Sequence, residues 1–251
     1  MRKILKSRRL QRLRLFADES LDDLLHGRLK LIQKKAGYRY SVDSLLIADF
    51  ALPEIKPSHK ILDLGSGSGV ISLILAQKSK AKKIIGIEIQ KALSDMAQRS
   101  VELNRLQGRV KIINKDVRRP GVFKPGSFDL IVSNPPFRKI GAGVLSPSRE
   151  KAIARHELEL AMAEALKICR RLLKPKGSVA LIYPFERLGE LIAQLEKHKL
   201  NPARLKLVFH KKGDPIPILF CILLKKAKSP LALEPPYFVE SEKGRFFVGR
   251  D

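Results

Sequence analysis

From residue 60 onward, short β-branched runs alternate with stretches of helical period, the order expected of a parallel sheet joined by crossover helices. Lys60–Leu64, Lys83–Glu88, Val110–Asn114 and Phe128–Ser133 supply four strands, with helices predicted near 69–78 and 91–105. Their apolar residues are nearly continuous rather than alternating, which suits strands covered on both faces. A helix over about 156–173 is stopped by the turn Lys174-Pro175-Lys176-Gly177, and a fifth strand follows at 178–183. After a helix near 186–199, two more strands are expected near 204–210 and 217–224. Too few residues separate them for a parallel crossover, so they pair antiparallel. The predicted fold is α/β, a mostly parallel seven-stranded sheet ending in an antiparallel pair. Pro235-Pro236 and the runs 237–240 and 245–248 read as a C-terminal hairpin or lid within 229–251. Residues 1–36 read as a basic N-terminal extension and 37–228 as the core of a single domain.

Between Arg2 and Arg14 there are seven basic residues and no acidic one, with Ile4, Leu5, Leu10 and Leu13 interleaved at roughly amphipathic helical spacing. Asp18, Glu19, Asp22 and Asp23 then reverse the sign, so the arm either folds back on these acids or stays free for a partner. Over the whole chain, 50 Lys and Arg against 25 Asp and Glu leave a formal charge of +25. A polyanion is therefore the first partner to consider, and nucleic acid leads. A lysine-rich surface serving solubility, or a hot or salty habitat, is the alternative; an anionic membrane surface ranks below both. Cys169 and Cys221 belong to no metal-ligand spacing, so neither a zinc site nor a disulfide framework is expected. No apolar run approaches the roughly 18–20 residues of a membrane helix, and the first residues lack a secretory h-region. Their basic, acid-free character matches an organelle transit peptide, but their single Ser does not. The expectation is a reduced, cytoplasmic protein without metal or membrane.

The residues that carry chemistry cluster where strands turn into helices. Asp63-Leu64-Gly65-Ser66-Gly67-Ser68-Gly69 ends the first core strand, and its glycines let a ligand approach the backbone. Glu88 ends the next strand nineteen residues after Gly69, where an acid accepts hydrogen bonds from ribose hydroxyls. A dinucleotide presents a pyrophosphate to a GxGxxG helix start. Here the spacing is GxGxG with an acid ahead of it, which suits a cationic ligand better. A glycine turn that serves only helix packing is the plainer alternative.

The fourth strand ends in Ser133-Asn134-Pro135-Pro136-Phe137, at the carboxyl edge of the sheet, where open α/β folds bind ligands. Two prolines stiffen this loop and remove two N–H donors, leaving carbonyls as acceptors. The Asn134 side-chain carbonyl adds another. An NH₂ on a planar ring needs two acceptors for its two hydrogens, and such a pair draws the nitrogen toward tetrahedral geometry and frees its lone pair for an electrophile. Phe137 offers a stacking face, worth about 1–3 kcal/mol per base. Such a loop acts by alignment rather than through a strong base, and no catalytic His is required. Arg138, Lys139, Arg149, Lys151 and Arg155 surround this mouth, fit for RNA phosphates beside a target base or for a solvated face. Arg155 and His156 invite a catalytic reading, but residues of this kind are more often exposed at a helix start. Lys and Arg at 170–176 and 204–212 extend the track only if they share its face.

The glycine segment resembles the first motif of class I S-adenosylmethionine-dependent methyltransferases, and the strand order resembles their Rossmann-like fold. That resemblance implies S-adenosylmethionine as cofactor, held at Asp63, Gly65, Gly67, Gly69 and Glu88, with Asp116 beside Val117 at the adenine. Read alone, Asp116 is as readily a helix cap. NPPF matches the tetrapeptide of methyltransferases acting on planar amide or exocyclic amine nitrogens. It implies Asn134, Pro135, Pro136 and Phe137 as the catalytic motif, with Asn134 also at the cofactor. Gly37-Tyr38-Arg39-Tyr40-Ser41-Val42-Asp43-Ser44-Leu45-Leu46-Ile47-Ala48 and Ala154-Arg155-His156-Glu157-Leu158 narrow the likeness. With them the chain is similar to the bacterial tRNA adenine-N6 methyltransferase family that modifies the adenosine beside the valine anticodon. The likeness runs from about Gly37 to Val239 and leaves the basic arm unmatched. It implies Tyr40, Ser41 and Asp43 near the cofactor, tRNA as partner and the N6 amine of an anticodon-loop adenine as target. An rRNA guanine-N2 methyltransferase, a protein-glutamine methyltransferase and an RNA-binding module without turnover are the alternatives.

Overall fold

The computed structural model describes residues 15–36, 39–135 and 162–240. Two short strands come first, β1 (Glu19–Leu24) and β2 (Leu29–Lys34), paired as an antiparallel hairpin. Helix α1 (Val42–Ala51) leads into β3 (Lys60–Leu64), α2 (Val70–Lys78), β4 (Lys83–Glu88), α3 (Lys91–Leu103), β5 (Val110–Asn114) and β6 (Phe128–Ser133). Next come α4 (Met162–Leu172), β7 (Leu173–Pro184), α5 (Leu188–Leu195), β8 (Asn201–Phe209), β9 (Leu219–Lys225) and β10 (Ala232–Phe238).

The main sheet has the order β10-β8-β9-β7-β6-β3-β4-β5. Strands β3 to β7 are parallel, and β9 runs antiparallel between β7 and β8, so the five parallel strands and the closing pair are present. The strand count corrects the expectation: there are eight, because β10 adds itself parallel to β8 at the sheet edge. Pro235 and Pro236 fall where its register shifts between Glu234 and Tyr237, as befits residues that cannot donate to a ladder. Tyr237 and Phe238, expected in a terminal hairpin, thus extend the main sheet, while 245–248 lies outside the described residues.

Central strands are covered on both faces, as their continuous apolar runs require. Ile61, Leu130 and Val132 pack on the side of α1, α2 and α3. Leu62, Leu64 and Ile131 pack on the side of α4 and α5. The turn expected at 174–177 lies inside β7, as an irregularity between the pairs Phe128↔Leu173 and Leu130↔Ser178. Gly177 permits it, since a Cβ there would stand 2.9 Å from the Asp129 carbonyl oxygen.

The segment read as a basic extension contains the hairpin, which is fastened to α3. Ile32 N–H donates to Ser100 Oγ (2.9 Å), Lys30 N–H to Asn104 Oδ1 (2.9 Å), and Asn104 Nδ2 returns a bond to the Lys30 carbonyl (2.6 Å). The four acids after the arm have partners here: Asp18 with Lys34, Glu19 with Arg99, Asp22 with Arg39 and Asp23 with Lys30. The arm itself, Arg2 to Arg14, lies outside the described residues.

Among the described residues no helix is long and apolar enough to cross a membrane, and no group of three or more His, Cys, Asp and Glu is placed to hold a metal. Cys169 and Cys221 are buried and unpaired, and burial pushes the Cys169 thiol up to about 12.

Candidate active site

The glycine loop and the asparagine loop leave adjacent strands at one edge of the sheet, and Ser133 Oγ fixes their separation by donating to the Leu64 carbonyl at 2.7 Å. Gly65 and Ser66 both donate backbone N–H to the Ile87 carbonyl at 3.0 Å, so the loop hangs from the end of β4. Gly65, Gly67 and Gly69 all have positive φ. Gly69 is the most constrained, because a Cβ at this φ of +84° would also stand 3.0 Å from Ala97 Cβ on α3. Gly86 belongs to the same design and was not singled out from sequence. A Cβ on it would meet Ile112 Cδ1 at 2.7 Å and Ser66 Oγ at 3.0 Å, so the loop needs a bare backbone beneath it.

Glu88 is nearly buried and braces the loop from the side: Gly67 N–H donates to Oε2 and Gln90 N–H to Oε1, each at 2.9 Å. Asp63 sits below. Its Oδ2 accepts from both the N–H (3.0 Å) and the Oγ (2.7 Å) of Ser72, tying β3 to the first turn of α2. Burial pushes its carboxyl up to about 7, opposed by the Ser72 bonds and assisted by the Glu88 charge.

Asn134 is held by a residue that sequence reading left without a role. Its Nδ2 donates to Ser44 Oγ at 3.0 Å, and Ser44 is 2% exposed on the first turn of α1. Its Oδ1 is buried and has no partner among the described residues. The same is true of Asp63 Oδ1, Ser66 Oγ and Ser68 Oγ, so four polar oxygens on or beside the glycine loop are without partners. Buried oxygens of this kind fit a polar ligand that supplies the missing bonds. Pro135 is buried, whereas Pro136, Phe137, Arg138, Lys139, Arg149, Lys151, Arg155 and His156 lie outside the described residues.

Tyr40, Ser41 and Asp43 lead into α1 just ahead of Ser44. Tyr40 N–H donates to Gln33 Oε1 at 2.8 Å, which ties this entry to the N-terminal hairpin. Burial pushes the Tyr40 hydroxyl up to about 12 and raises the Asp43 carboxyl, against a hydrogen bond from Ser41. Asp116 is gripped by its neighbour: Arg118 Nε donates to Oδ1 (2.9 Å), Nη2 to Oδ2 (2.8 Å), and the Arg118 N–H to Oδ1 (2.9 Å). The Arg118 bonds hold its carboxyl below the usual value. It nevertheless lines a cleft of about 560 Å³ with Ile89, Asn114, Arg119, Pro120 and Val122, directly past the end of β4. Val117 is in the core and does not line it. Ile89, 39% exposed beside Glu88, is the apolar wall that sequence reading missed; a large aliphatic residue following a strand acid is the signal that was available.

A family model described as Methyltransferase small domain matches residues 42–183. The chain belongs to this methyltransferase family. A tRNA1(Val) (adenine(37)-N6)-methyltransferase of Tolumonas auensis is 30% identical, covering 77% of this chain and 79% of that one. A protein of the same description from Porphyromonas gingivalis is 32% identical over 71% of each chain. Among solved structures, a predicted O-methyltransferase of Agrobacterium tumefaciens matches with a TM-score of 0.60 at 18% identity, over 78% of this chain and 86% of that one. The tRNA m1G37 methyltransferase of Methanocaldococcus jannaschii matches at 0.59 and 15%, over 83% and 56%. At these identities the two structures establish the fold, and the fold is that of class I methyltransferases. The methyl donor of this methyltransferase is S-adenosylmethionine, and the glycine loop with its unpartnered oxygens suits the donor's polar methionine and ribose portions.

Proposed function

We propose that this methyltransferase acts on the N6 amine of an adenine in tRNA, in the anticodon loop beside the anticodon. The observation that carries the reading is Asn134: its Nδ2 is committed to Ser44, so its buried Oδ1 is left as an acceptor one strand away from the glycine loop. Oδ1 and a loop carbonyl following it together accept both hydrogens of an exocyclic amine. S-adenosylmethionine supplies a methyl group already activated on a sulfonium, so the protein's task is alignment and the exclusion of water. Glu88 holds ribose hydroxyls and Ile89 with Val122 flanks the adenine of the cofactor in the cleft at Asp116. Asp63 supports the loop from below, and Tyr40, Ser41 and Asp43 close the methionine end. Phe137 stacks on the target base, and Arg138, Lys139, Arg149, Lys151 and Arg155 meet the phosphates beside it. An unstacked loop base costs less to bring into such a pocket than a paired one. The names of the relatives support adenine over guanine, and the charge of +25 favours RNA over a protein substrate. We read the chain as one domain acting in the cytoplasm, with β1–β2 and β10 built onto the catalytic core.

The test is methylation of bulk tRNA by the purified protein, followed by mass spectrometry of its nucleosides and mapping of the modified position. N6-methyladenosine in the anticodon loop is expected. N2-methylguanosine, or methylated glutamine in a protein substrate, would transfer the assignment to that rival, and no product at all would favour an RNA-binding module.

A further inference from the structure

The basic residues at 170–176 and 204–212, whose faces the sequence leaves open, separate by sheet edge once the strands are in place. Strands β3 to β8, apart from the reversed β9 beside them, end at the edge that carries the glycine loop and Asn134. Because β8 and β9 are antiparallel, their connection at 210–218 lies at that same edge. Asn134 follows β6, so the glycine loop flanks it on the side of β3 and β4, and the 210–218 loop flanks it on the side of β7 and β9.

Lys174 and Lys176 stand at the start of β7, the opposite edge, and Lys174 is paired with Asp129 at 2.8 Å. Arg204 and Lys206 are turned onto the acid of β10 and the one in the 3-10 turn after α1: Arg204 on Glu54 (3.1 Å) and Glu234, Lys206 on Glu234 (3.2 Å). From these two clusters, the exposed lysines that remain at the catalytic edge are Lys211 and Lys212. Neither has an ion pair with a described residue. The loop's own acid, Asp214, is occupied by accepting the Lys211 backbone N–H at 2.9 Å, in a turn that Gly213 makes with φ +93°. Beside the two cations Ile216 is 66% and Ile218 43% exposed.

Transfer requires nitrogen, methyl and sulfur in line, so cofactor and substrate approach Asn134 from opposite sides. With the cofactor over β3 and β4, the substrate comes over β7, β9 and β8. We propose that the β8–β9 loop is an RNA-docking surface. Lys211 and Lys212 hold phosphates of the strand that carries the target base, and Ile216 and Ile218 lie against its sugars and base faces. Unpaired cations on a tight turn meet a polyanion without first breaking ion pairs, and phosphate contacts set the register of the strand rather than its sequence. The proposal rests on the tRNA reading above and names the surface that this reading needs.

The experiment compares tRNA binding by the wild type, Lys211→Ala/Lys212→Ala and Lys80→Ala/Lys82→Ala across a salt series. The second pair is also exposed, but it lies at the amino edge of the sheet ahead of β4. Removing two cations that each neutralise a phosphate should flatten the slope of log affinity against log salt by about 1.4 to 1.8 and weaken binding roughly tenfold at moderate salt. S-adenosylmethionine affinity should stay the same, and the control pair should keep the wild-type slope. Equal slopes for wild type and the loop variant overturn the surface, as does equal flattening by the control pair, which would mean that overall charge alone acts. If the wild type methylates no tRNA, the tRNA reading itself fails and takes the surface with it; if it methylates tRNA with the slope unmoved by the loop variant, only the surface fails.

Discussion

Asn134 has an amide whose two ends are chemically opposite, and one hydrogen bond decides which end the substrate meets. Replacing Asn134 with Ala should lower kcat by about 10²–10³-fold, the scale seen when one preorganised group is removed from a reacting centre, with cofactor affinity left nearly intact in calorimetry. Ser44 acts through Asn134, so Ser44→Ala should cost roughly fivefold to tenfold in kcat, the worth of one net hydrogen bond. A double-mutant cycle separates positioning from simple packing. With Asp at 134, an oxygen faces the substrate in either orientation, so the Ser44→Ala cost should shrink in an Asn134→Asp background. Equal costs in both backgrounds would reduce Ser44 to a structural residue. Asp63 gives a prediction of different kind, because its folded carboxyl is raised from 3.8 to about 7. Between those values the folded protein holds a proton that the unfolded chain has released, so stability falls as pH rises through that window and levels off above it. Asp63→Asn keeps an acceptor for Ser72 and cannot titrate. In denaturant unfolding at a series of pH values, the variant should gain on the wild type from about pH 4 to 7; parallel curves would show that Asp63 is ionised throughout.

At the scale of elements, the N-terminal hairpin is held to α3 by a pair whose acid is almost wholly covered: Arg99 Nη2 stands 2.5 Å from Glu19 Oε1, with Glu19 4% exposed. Arg99→Ala leaves that carboxylate without its partner and should cost about 2–4 kcal/mol of unfolding free energy at neutral pH. Arg99 is the main cause that lowers the Glu19 carboxyl below 4.5. The contribution is therefore present above that pH and is lost as acid protonates the folded carboxyl, so the deficit of the variant should narrow in acid. An undiminished deficit at low pH would mean that poorer packing on Phe16, whose ring lies 5.0 Å from the Arg99 guanidinium, outweighs charge. This hairpin was illegible in the sequence for a physical reason: Asp22 and Asp23 are poor strand formers, and their cations come from Lys30 and from Arg39 beyond the second strand. The edge strand β10 was hidden by Pro235-Pro236, which weaken a strand pattern unless the strand is at an edge. The buried strands and the glycine loop were legible because burial on both faces and a strand-to-helix glycine turn leave marks within a few adjacent residues. Ser44, Gly86 and Ile89 act through contacts made 90, 20 and one residue away in the chain from the motif they serve, and only the last lay close enough to read.

For the molecule as a whole, the excess of positive charge is the property that a substrate meets first, and its distribution is more informative than its total. Many cations in the body are spent internally, on Glu54, Glu234, Asp129 and the acids of the hairpin. That changes the expectation for the arm between Arg2 and Arg14. Sequence alone allowed Asp18, Glu19, Asp22 and Asp23 to neutralise it, but these acids are already paired with Lys34, Arg99, Arg39 and Lys30 of the folded body. Deleting residues 1–14 should therefore leave the melting temperature within about a degree of wild type, since these four acids keep their cations in the folded body. If the arm's seven cations meet phosphates beyond the target loop, the same deletion should weaken tRNA binding and flatten its salt slope, by about 0.7 to 0.9 for each phosphate no longer neutralised. S-adenosylmethionine affinity and the methylated position should not move, because the residues assigned to the pocket all follow Gly37. The two readouts oppose one another: a lowered melting temperature with an unchanged salt slope would return the arm to a structural role against the body. A flattened slope at constant melting temperature would place it on the RNA.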